Sequence, residues 1–283
     1  MSDFLQTVAA ERRADMQAAR RRDDVPARSG RPRPSFADAI RAKRAAGRVA
    51  VIAELKRRSP AFGALALDAD PASRGLAYAR AGAAAISVLT EPRHWGGSVA
   101  DLVAVGEAVD LPILYKDVVV DEEQLREAAS AGASAVLLIA EALDDATLAS
   151  FVARAAALGL DALVEAHEHA AFARAVACGA TVVGVNARSL RVPAEIDRER
   201  IDALHGLVRP EQLLVAESGL ATPEDVAALP GRVDAVLVGT ALVTAADPGA
   251  LVRALAEARA LPERGRRAPD PGVAEGGDGS RVR

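Results

Sequence analysis

Val49–Pro60 reads VAVIAELKRRSP, and its two halves make opposite demands. The first, Val49–Ala53, is continuously apolar, as in a strand covered on both faces. Glu54 and Lys56 then follow two residues apart, a spacing that puts both side chains on one face of a strand. Either the strand ends in water there, or a carboxylate and an ammonium are aimed together at a reaction. The rest of the chain decides.

From Val49 to about Leu261 the same texture recurs. Apolar runs stand at 49–56, 84–90, 112–118, 135–140, 161–167, 181–187, 212–218 and 235–241, separated by longer segments with helical spacing such as DEEQLREAASAG. Gly82, Gly132, Gly159 and Gly179 close several of those segments, where a left-handed C-terminal cap is expected. Asp121 and Asp144 stand before helical runs as N-caps. Strands alternating with helices pair in parallel, and eight such units predict an α/β fold closed as a (β/α)8 TIM barrel. An open doubly wound sheet is the alternative, but no GxGxxG follows the first run.

This reading divides the 283 residues into an N-terminal helical extension (1–47), the barrel (48–261) and a tail (262–283) expected to be disordered for want of apolar residues. The extension is expected to hold one helix around 2–22 and another starting at Ser35, where Ser35 and Asp38 are spaced as a capping box. A loop rich in Pro and Arg joins the two.

Composition excludes several function classes. The formal charge is −4 and aromatic residues make up 3%, which suits neither a polyanion-binding field nor base stacking, so no nucleic-acid partner is expected. The charged N-terminus lacks the apolar core of a signal peptide, and no run is long enough to span a membrane. A cytoplasmic protein is the expectation. The one cysteine, Cys178, reads as a small core residue. His94, His167, His169 and His205 lack metal-ligand spacing, and HEH (167–169) reads as a loop and helix start, so no metal is expected.

In a barrel of this kind reactive groups gather at the C-terminal ends of the strands. The first run gives Glu54 and Lys56 there, the third Lys116 and the fifth Glu165. The sixth gives Asn186, with Arg188 beyond it, and the seventh gives Glu217. Lysines and carboxylates crowded into one mouth perturb each other: opposite charges hold the ions, while burial and like charges push lysine down and carboxylate up. Such a set suits general acid–base work. The competing explanation, a ring of ion pairs closing the barrel end, stays open for Glu54 or Glu217 alone. For the set it is the weaker one, because buried ion networks stabilise poorly.

The last two loops differ in kind. Ser218–Gly219 and Gly239–Thr240 each pair glycine with a hydroxyl, and backbone N–H groups exposed there can cradle a phosphate. Each pair alone signals a tight turn; both together, after the seventh and eighth strands, point to phosphate. Trp95 lies in the second βα loop, either packing on a substrate ring or covering the barrel top.

With these residues in place, the sequence resembles the indole-3-glycerol phosphate synthase family of tryptophan biosynthesis. The matching segments are IAELKRRSP, SVLTEPRHWGGS, LYKDVVVDEEQ, LVEAH, VGVNARSL, VAESGL and VLVGTAL, in family order over roughly residues 2–260. The resemblance implies a lyase that closes a ring with decarboxylation and dehydration. Its substrate is a phosphorylated small molecule, 1-(2-carboxyphenylamino)-1-deoxyribulose 5-phosphate, and no cofactor is needed. By that resemblance Lys116 protonates the ribulose carbonyl, and Lys56, Glu165 and Glu54 serve the dehydration. Asn186, Arg188 and Glu217 orient the substrate, while Ser59, Gly219, Gly239 and Thr240, helped by Lys56, take the phosphate. A monomer or weak homo-oligomer is expected.

Three positions depart from the family pattern. KDF is here Lys116-Asp117-Val118, SPS(K)G is Ser59-Pro60-Ala61-Phe62-Gly63, and NNR is Asn186-Ala187-Arg188. The first removes an aromatic wall, for which Phe62 or Trp95 is the replacement candidate. Alternatives carried forward are a specialised-metabolism paralogue taking a substituted anthranilate adduct and a non-catalytic barrel that binds a phosphate ligand. An isomerase resembling phosphoribosylanthranilate isomerase is disfavoured, since its reaction does not call for two lysines.

Overall fold

The computed structural model describes residues 3–19, 34–65, 70–190, 192 and 194–258. The Pro- and Arg-rich loop, apart from its end, and the tail at 262–283 lie outside the described residues.

The first run forms β1 (Ala50–Leu55), followed within the first loop by a two-residue antiparallel ribbon of β2 (Arg58–Ser59) and β3 (Gly63–Ala64). The other runs form β4 (Ala85–Leu89), β5 (Ile113–Lys116), β6 (Ala135–Ile139) and β7 (Asp161–Ala166). Then come β8 (Val182–Asn186), β9 (Leu213–Glu217) and β10 (Ala235–Val238). The eight longer strands close a barrel in the order β1-β10-β9-β8-β7-β6-β5-β4. Every pair in it is parallel, and β1 pairs with both β10 (Ala53↔Val238) and β4 (Leu55↔Val88). The strands are buried almost throughout, as side chains facing the barrel interior on one side and helices on the other must be.

The helices are α1 (Asp3–Ala19), α2 (Phe36–Ala45), α3 (Pro71–Arg80), α4 (Val99–Ala108), α5 (Glu122–Ser130) and α6 (Asp145–Ala157). They continue with α7 (His169–Ala177), α8 (Glu199–Leu204), α9 (Pro223–Ala227), α10 (Thr240–Thr244) and α11 (Pro248–Glu257). Gly82, Gly132, Gly159 and Gly179 take φ of 92°, 83°, 73° and 90°, the left-handed values that end a helix cheaply only for glycine. Asp144 accepts the Thr147 N–H at 2.8 Å, and Asp121 with Gln124 makes a full capping box. The Ser35 box is half-formed: its hydroxyl accepts the Asp38 N–H, but the Asp38 carboxylate turns to Arg41 at 2.7 Å.

Several strands end earlier than the apolar runs suggest. Lys56 stands just past β1, and Asp117 and Val118 just past β5. Gly239 caps α10, with Thr240 as its first residue. The apolar runs continue because the first loop residues are buried against the barrel rim, so hydrophobicity alone does not mark where pairing stops.

The two N-terminal helices serve opposite barrel ends. α2 closes the bottom: Phe36 and Ile40 are fully buried, Asp161 at the start of β7 accepts the Ala37 N–H at 3.0 Å, and Arg44 meets Asp234 at 2.7 Å just before β10. α1 lies against the mouth. Its Arg12 donates from Nε and Nη2 to the two oxygens of Asp117 at 2.9 and 2.7 Å, and Glu11 meets His94 at 2.7 Å. Phe4 packs edge-on to His94, centroids 5.4 Å apart.

The Arg12–Asp117 pair is buried, so removing one partner strands the other charge. Asp117→Ala is expected to destabilise the fold by about 3–5 kcal/mol in chemical denaturation, with Arg12→Met recovering part of the loss in that background. Additive losses would contradict the pairing argument.

Candidate active site

The charged residues singled out at strand ends converge above the barrel. Glu54 on β1, Lys116 on β5, Glu165 on β7, Asn186 on β8 and Glu217 on β9 all face one cavity of about 530 Å³, and Lys56 and Arg188 enter it from the first and sixth barrel loops. Period-two alternation produces this: each side chain sits at an inward position at the last turn of its strand.

Lys116 is the hub. Its Nζ lies 3.0 Å from Glu217 Oε2 and 3.5 Å from both Glu54 Oε2 and Glu165 Oε2. Lys56 Nζ lies 3.1 Å from the other oxygen of Glu54. Asn186 donates from Nδ2 to Glu165 Oε1 at 2.9 Å, and its Oδ1 accepts the Arg188 N–H at 3.0 Å.

Burial alone would lower the proton affinity of Lys116, but Glu217, Glu165 and Glu54 override it and drive it up. Of the opposing effects expected in a crowded mouth, opposite charge wins here: three acidic side chains within 3.5 Å outweigh desolvation. The carboxylates divide. Burial pushes Glu54 up, yet Lys56 and Lys116 hold it below the usual range. Glu165 likewise resists burial and falls to about 2, held by Lys116, His167 and Asn186. Glu217 goes well above the usual range, because burial and the charge of Glu165 exceed what Lys116 returns. Of the two, Glu217 keeps its proton to the higher pH and Glu165 ionises first.

A raised native-state pKa means the native state binds the Glu217 proton more tightly than the unfolded chain. That contribution is fully present below about pH 4.5 and is lost as pH rises toward the native value. Glu217→Gln, which copies the protonated acid, should gain stability over the parent from pH 5 upward while losing activity. Urea midpoints across pH 4–9 test this; a gap that narrows as pH rises would contradict it.

The glycines take two different roles. Ser218 and Gly219 both lie in the left-handed region, φ 70° and 74°, and Ser218 is the one non-glycine there among the described residues. Such strain costs roughly 1–3 kcal/mol and persists where a site requires it. A Cβ on Gly219 would also stand 2.6 Å from the Ile196 side chain. Gly239 has an ordinary φ of −123°, so space is what matters there. A Cβ would fall against Glu54 Oε1 and 2.9 Å from Lys56 Nζ. Read from sequence as an opening for a ligand, Gly239 also makes room for the Glu54–Lys56 pair. Gly184 does the same for Glu217.

Ser59, Ser218, Gly219, Gly239 and Thr240 all line the cavity, and the Thr240 hydroxyl is buried without a partner among the described residues. Trp95 lines the cavity and packs on Phe4 of α1 at 6.0 Å. Phe62 is exposed at the rim beneath the Arg188 guanidinium, 5.9 Å from ring centre to Cζ. Of the three departures, Val118 and Ala61 line the cavity, whereas Ala187 is fully buried outside it.

Sequence reasoning missed His167, Glu141 and Glu91. His167 is buried between Glu165 and Glu141, and its position two residues after Glu165 was the available signal. Glu91 accepts the N–H groups of Arg93, His94 and Trp95 at 3.0, 2.7 and 3.0 Å, shaping the loop that carries Trp95. Among the described residues no three His, Cys, Asp or Glu side chains are grouped to hold a metal ion. No helix of the described residues is long and apolar enough to cross a membrane.

Comparison with known proteins gives this geometry a lineage. The family model for indole-3-glycerol phosphate synthase matches residues 5–255, from within α1 into α11 and across every strand. The chain belongs to the indole-3-glycerol phosphate synthase family. Relatives bearing the family name include one from Parafrankia sp., 50% identical over 81% of this chain and 85% of the relative. Others come from Streptomyces griseus, 46% identical over 88% and 92%, and from Nocardioides sp., 49% identical over 89% and 92%. Solved structures outside the synthase family show the same fold. A tryptophan synthase from Mycobacterium tuberculosis superposes with a TM-score of 0.60 at 18% identity, covering 82% of this chain and 100% of that one. A 3-hexulose-6-phosphate synthase from Salmonella typhimurium gives 0.60 at 18% identity, covering 74% and 98%.

Proposed function

We propose that this chain performs the reaction of its family. It acts as a carboxy-lyase of tryptophan biosynthesis, converting 1-(2-carboxyphenylamino)-1-deoxyribulose 5-phosphate to indole-3-glycerol phosphate, carbon dioxide and water. The observation that carries the reading is the Lys116 ammonium ringed by carboxylates from three strands at the mouth of the barrel. A volume of about 530 Å³ suits a substrate of this size.

The residue roles are read from that arrangement. As the aromatic carbon bearing the carboxylate attacks the ribulose carbonyl, negative charge grows on its oxygen. Lys116, kept protonated by its neighbours, meets that charge and gives up its proton to the more basic alkoxide. Carbon dioxide then leaves and the ring regains its aromaticity. Loss of the new hydroxyl needs one group to protonate it and another to take a proton from the ring, and Lys56, Glu54 and Glu165 supply both. Their linked ion pairs make the assignment among the three a property of the set. Arg188 and Asn186 orient the anthranilate carboxylate. Ser59, Gly219, Gly239 and the Thr240 hydroxyl hold the phosphate, with Lys56 bridging phosphate and reacting carbons.

On this reading the extension over 1–47 and the barrel over 48–261 work as one unit, a cytoplasmic monomer or weak homo-oligomer without a nucleic-acid partner. Val118 and Ala61 in the cavity wall favour a second reading, a paralogue for a substituted anthranilate adduct. Indole fluorescence appearing when purified protein meets the plain substrate tests the first reading. A substituted adduct turned over much faster than the plain one would shift the assignment to the second, and binding without any turnover would exclude both.

A further inference from the structure

One buried imidazole has no part in these steps. His167 lines the cavity two residues after Glu165. Its Nε2 lies 3.3 Å from Glu165 Oε1, and its Nδ1 lies 3.4 Å from Glu141 Oε2. Glu141 stands on a 3₁₀ turn, Ala140–Ala142, after β6. Its other oxygen accepts the N–H groups of His167 at 2.6 Å and Glu168 at 3.0 Å. Arg174 of α7 fixes that turn by donating to the carbonyls of Ala140 and Leu143 at 3.0 and 2.6 Å.

A neutral imidazole has one N–H and one lone pair, so between two carboxylates it must choose which to face with each. Burial pushes Glu141 up, but the imidazole and the two amides hold it below the usual range, an anion that accepts only. A lone pair facing it would be repelled. Glu165 is an anion as well, so charge alone does not choose; alignment does. The Nδ1 contact to Glu141 has hydrogen-bond geometry and the Nε2 contact to Glu165 is a charge contact only, which puts the N–H on Nδ1 and leaves Nε2 to Glu165.

We propose that Glu141 and His167 are a positioning pair for Glu165: Glu141 sets the tautomer, and His167 Nε2 receives and returns the proton that Glu165 gains in the dehydration step. The transfer balances. A proton on Glu165 Oε1 passes to Nε2, leaving a carboxylate and an imidazolium whose second N–H faces Glu141; the reverse step restores both. The groups facing this pair are Lys116, Asn186 and Glu217, all on Glu165, while the Glu168 side chain is exposed. The same orienting logic, a carboxylate behind an imidazole behind the reacting group, serves nucleophilic triads. The role of Glu165 here rests on the proposed function, whereas the tautomer does not.

The test uses the full chain with nitrogen-15 in its histidine rings, alongside Glu141→Gln and His167→Gln, which also assigns the signal. In the parent, His167 should carry its proton on Nδ1, and Glu141→Gln should shift the population toward Nε2–H. Both variants should lose about 10- to 100-fold in kcat on the plain substrate, with KM within about threefold and an altered pH profile of kcat. An Nε2–H tautomer in the parent overturns the pairing whether or not the protein turns over substrate. An unchanged kcat–pH profile in Glu141→Gln overturns the relay. If the parent has no turnover, the functional reading fails, and the ring tautomer still decides the pairing.

Discussion

Replacing Lys116 with alanine lowers kcat by about a thousandfold or more, because it removes both the proton given to the ribulose oxygen and the charge that stabilises its formation. The same change reshapes the stability profile. Lys116 helps hold Glu54 and Glu165 below the usual range, beside Lys56 at Glu54 and His167 at Glu165, so without it both native pKa values rise. A lowered carboxylate contributes stability that is present above its unfolded pKa, so weakening that lowering costs stability above about pH 4.5 and little below it. The variant should therefore match the parent most nearly in mild acid and fall behind it toward pH 8. Steady-state fluorescence kinetics and urea midpoints at two pH values read the two effects separately. Near-parental turnover would remove Lys116 from its assigned role.

The second large effect comes from a single methyl group. Gly239→Ala keeps an allowed backbone, since φ is −123°, and is expected to fold. Its Cβ, however, falls against the Glu54 carboxylate and close to the Lys56 ammonium, so that pair has to move. Displacing reacting groups by about 1 Å can cost about a hundredfold in rate. The expected result is a fall of that order in kcat with the melting temperature lowered by only a few degrees. If the phosphate contact alone were disturbed, KM would rise instead and kcat would hold. That split separates the two roles of Gly239.

The barrel was legible because its signals are local and repeated. An apolar run, a glycine at the helix end and an Asp before the next helix recur unit after unit, and each has a backbone reason. The mouth was legible for a related reason: a charge at the end of an apolar strand has few bland explanations, so Glu54, Lys116, Glu165 and Glu217 stood out. What could not be read was anything set by distance between elements. Arg12 and Asp117 are 105 positions apart, and nothing in either neighbourhood announces the pair. The sign of the Lys116 shift stayed open because it depends on three separate strands bringing carboxylates within 3.5 Å. His167 was passed over for lacking metal spacing, although it shares with Glu165 the two-residue step that made Glu54 and Lys56 conspicuous. The Gly239 role was half seen, since sequence shows that a side chain is missing but not what fills its place.

Glu54 with Lys56 is not a strand end fraying into water: Glu54 is buried and joined to both lysines. On the proposed function, that cluster drives ring closure and decarboxylation in one cavity. A single-turnover experiment with enzyme in excess over carboxyl-labelled substrate, quenched in time, counts both products. One carbon dioxide released for each indole ring formed is the predicted result. Carbon dioxide without indole, or tight binding with neither product, would contradict it.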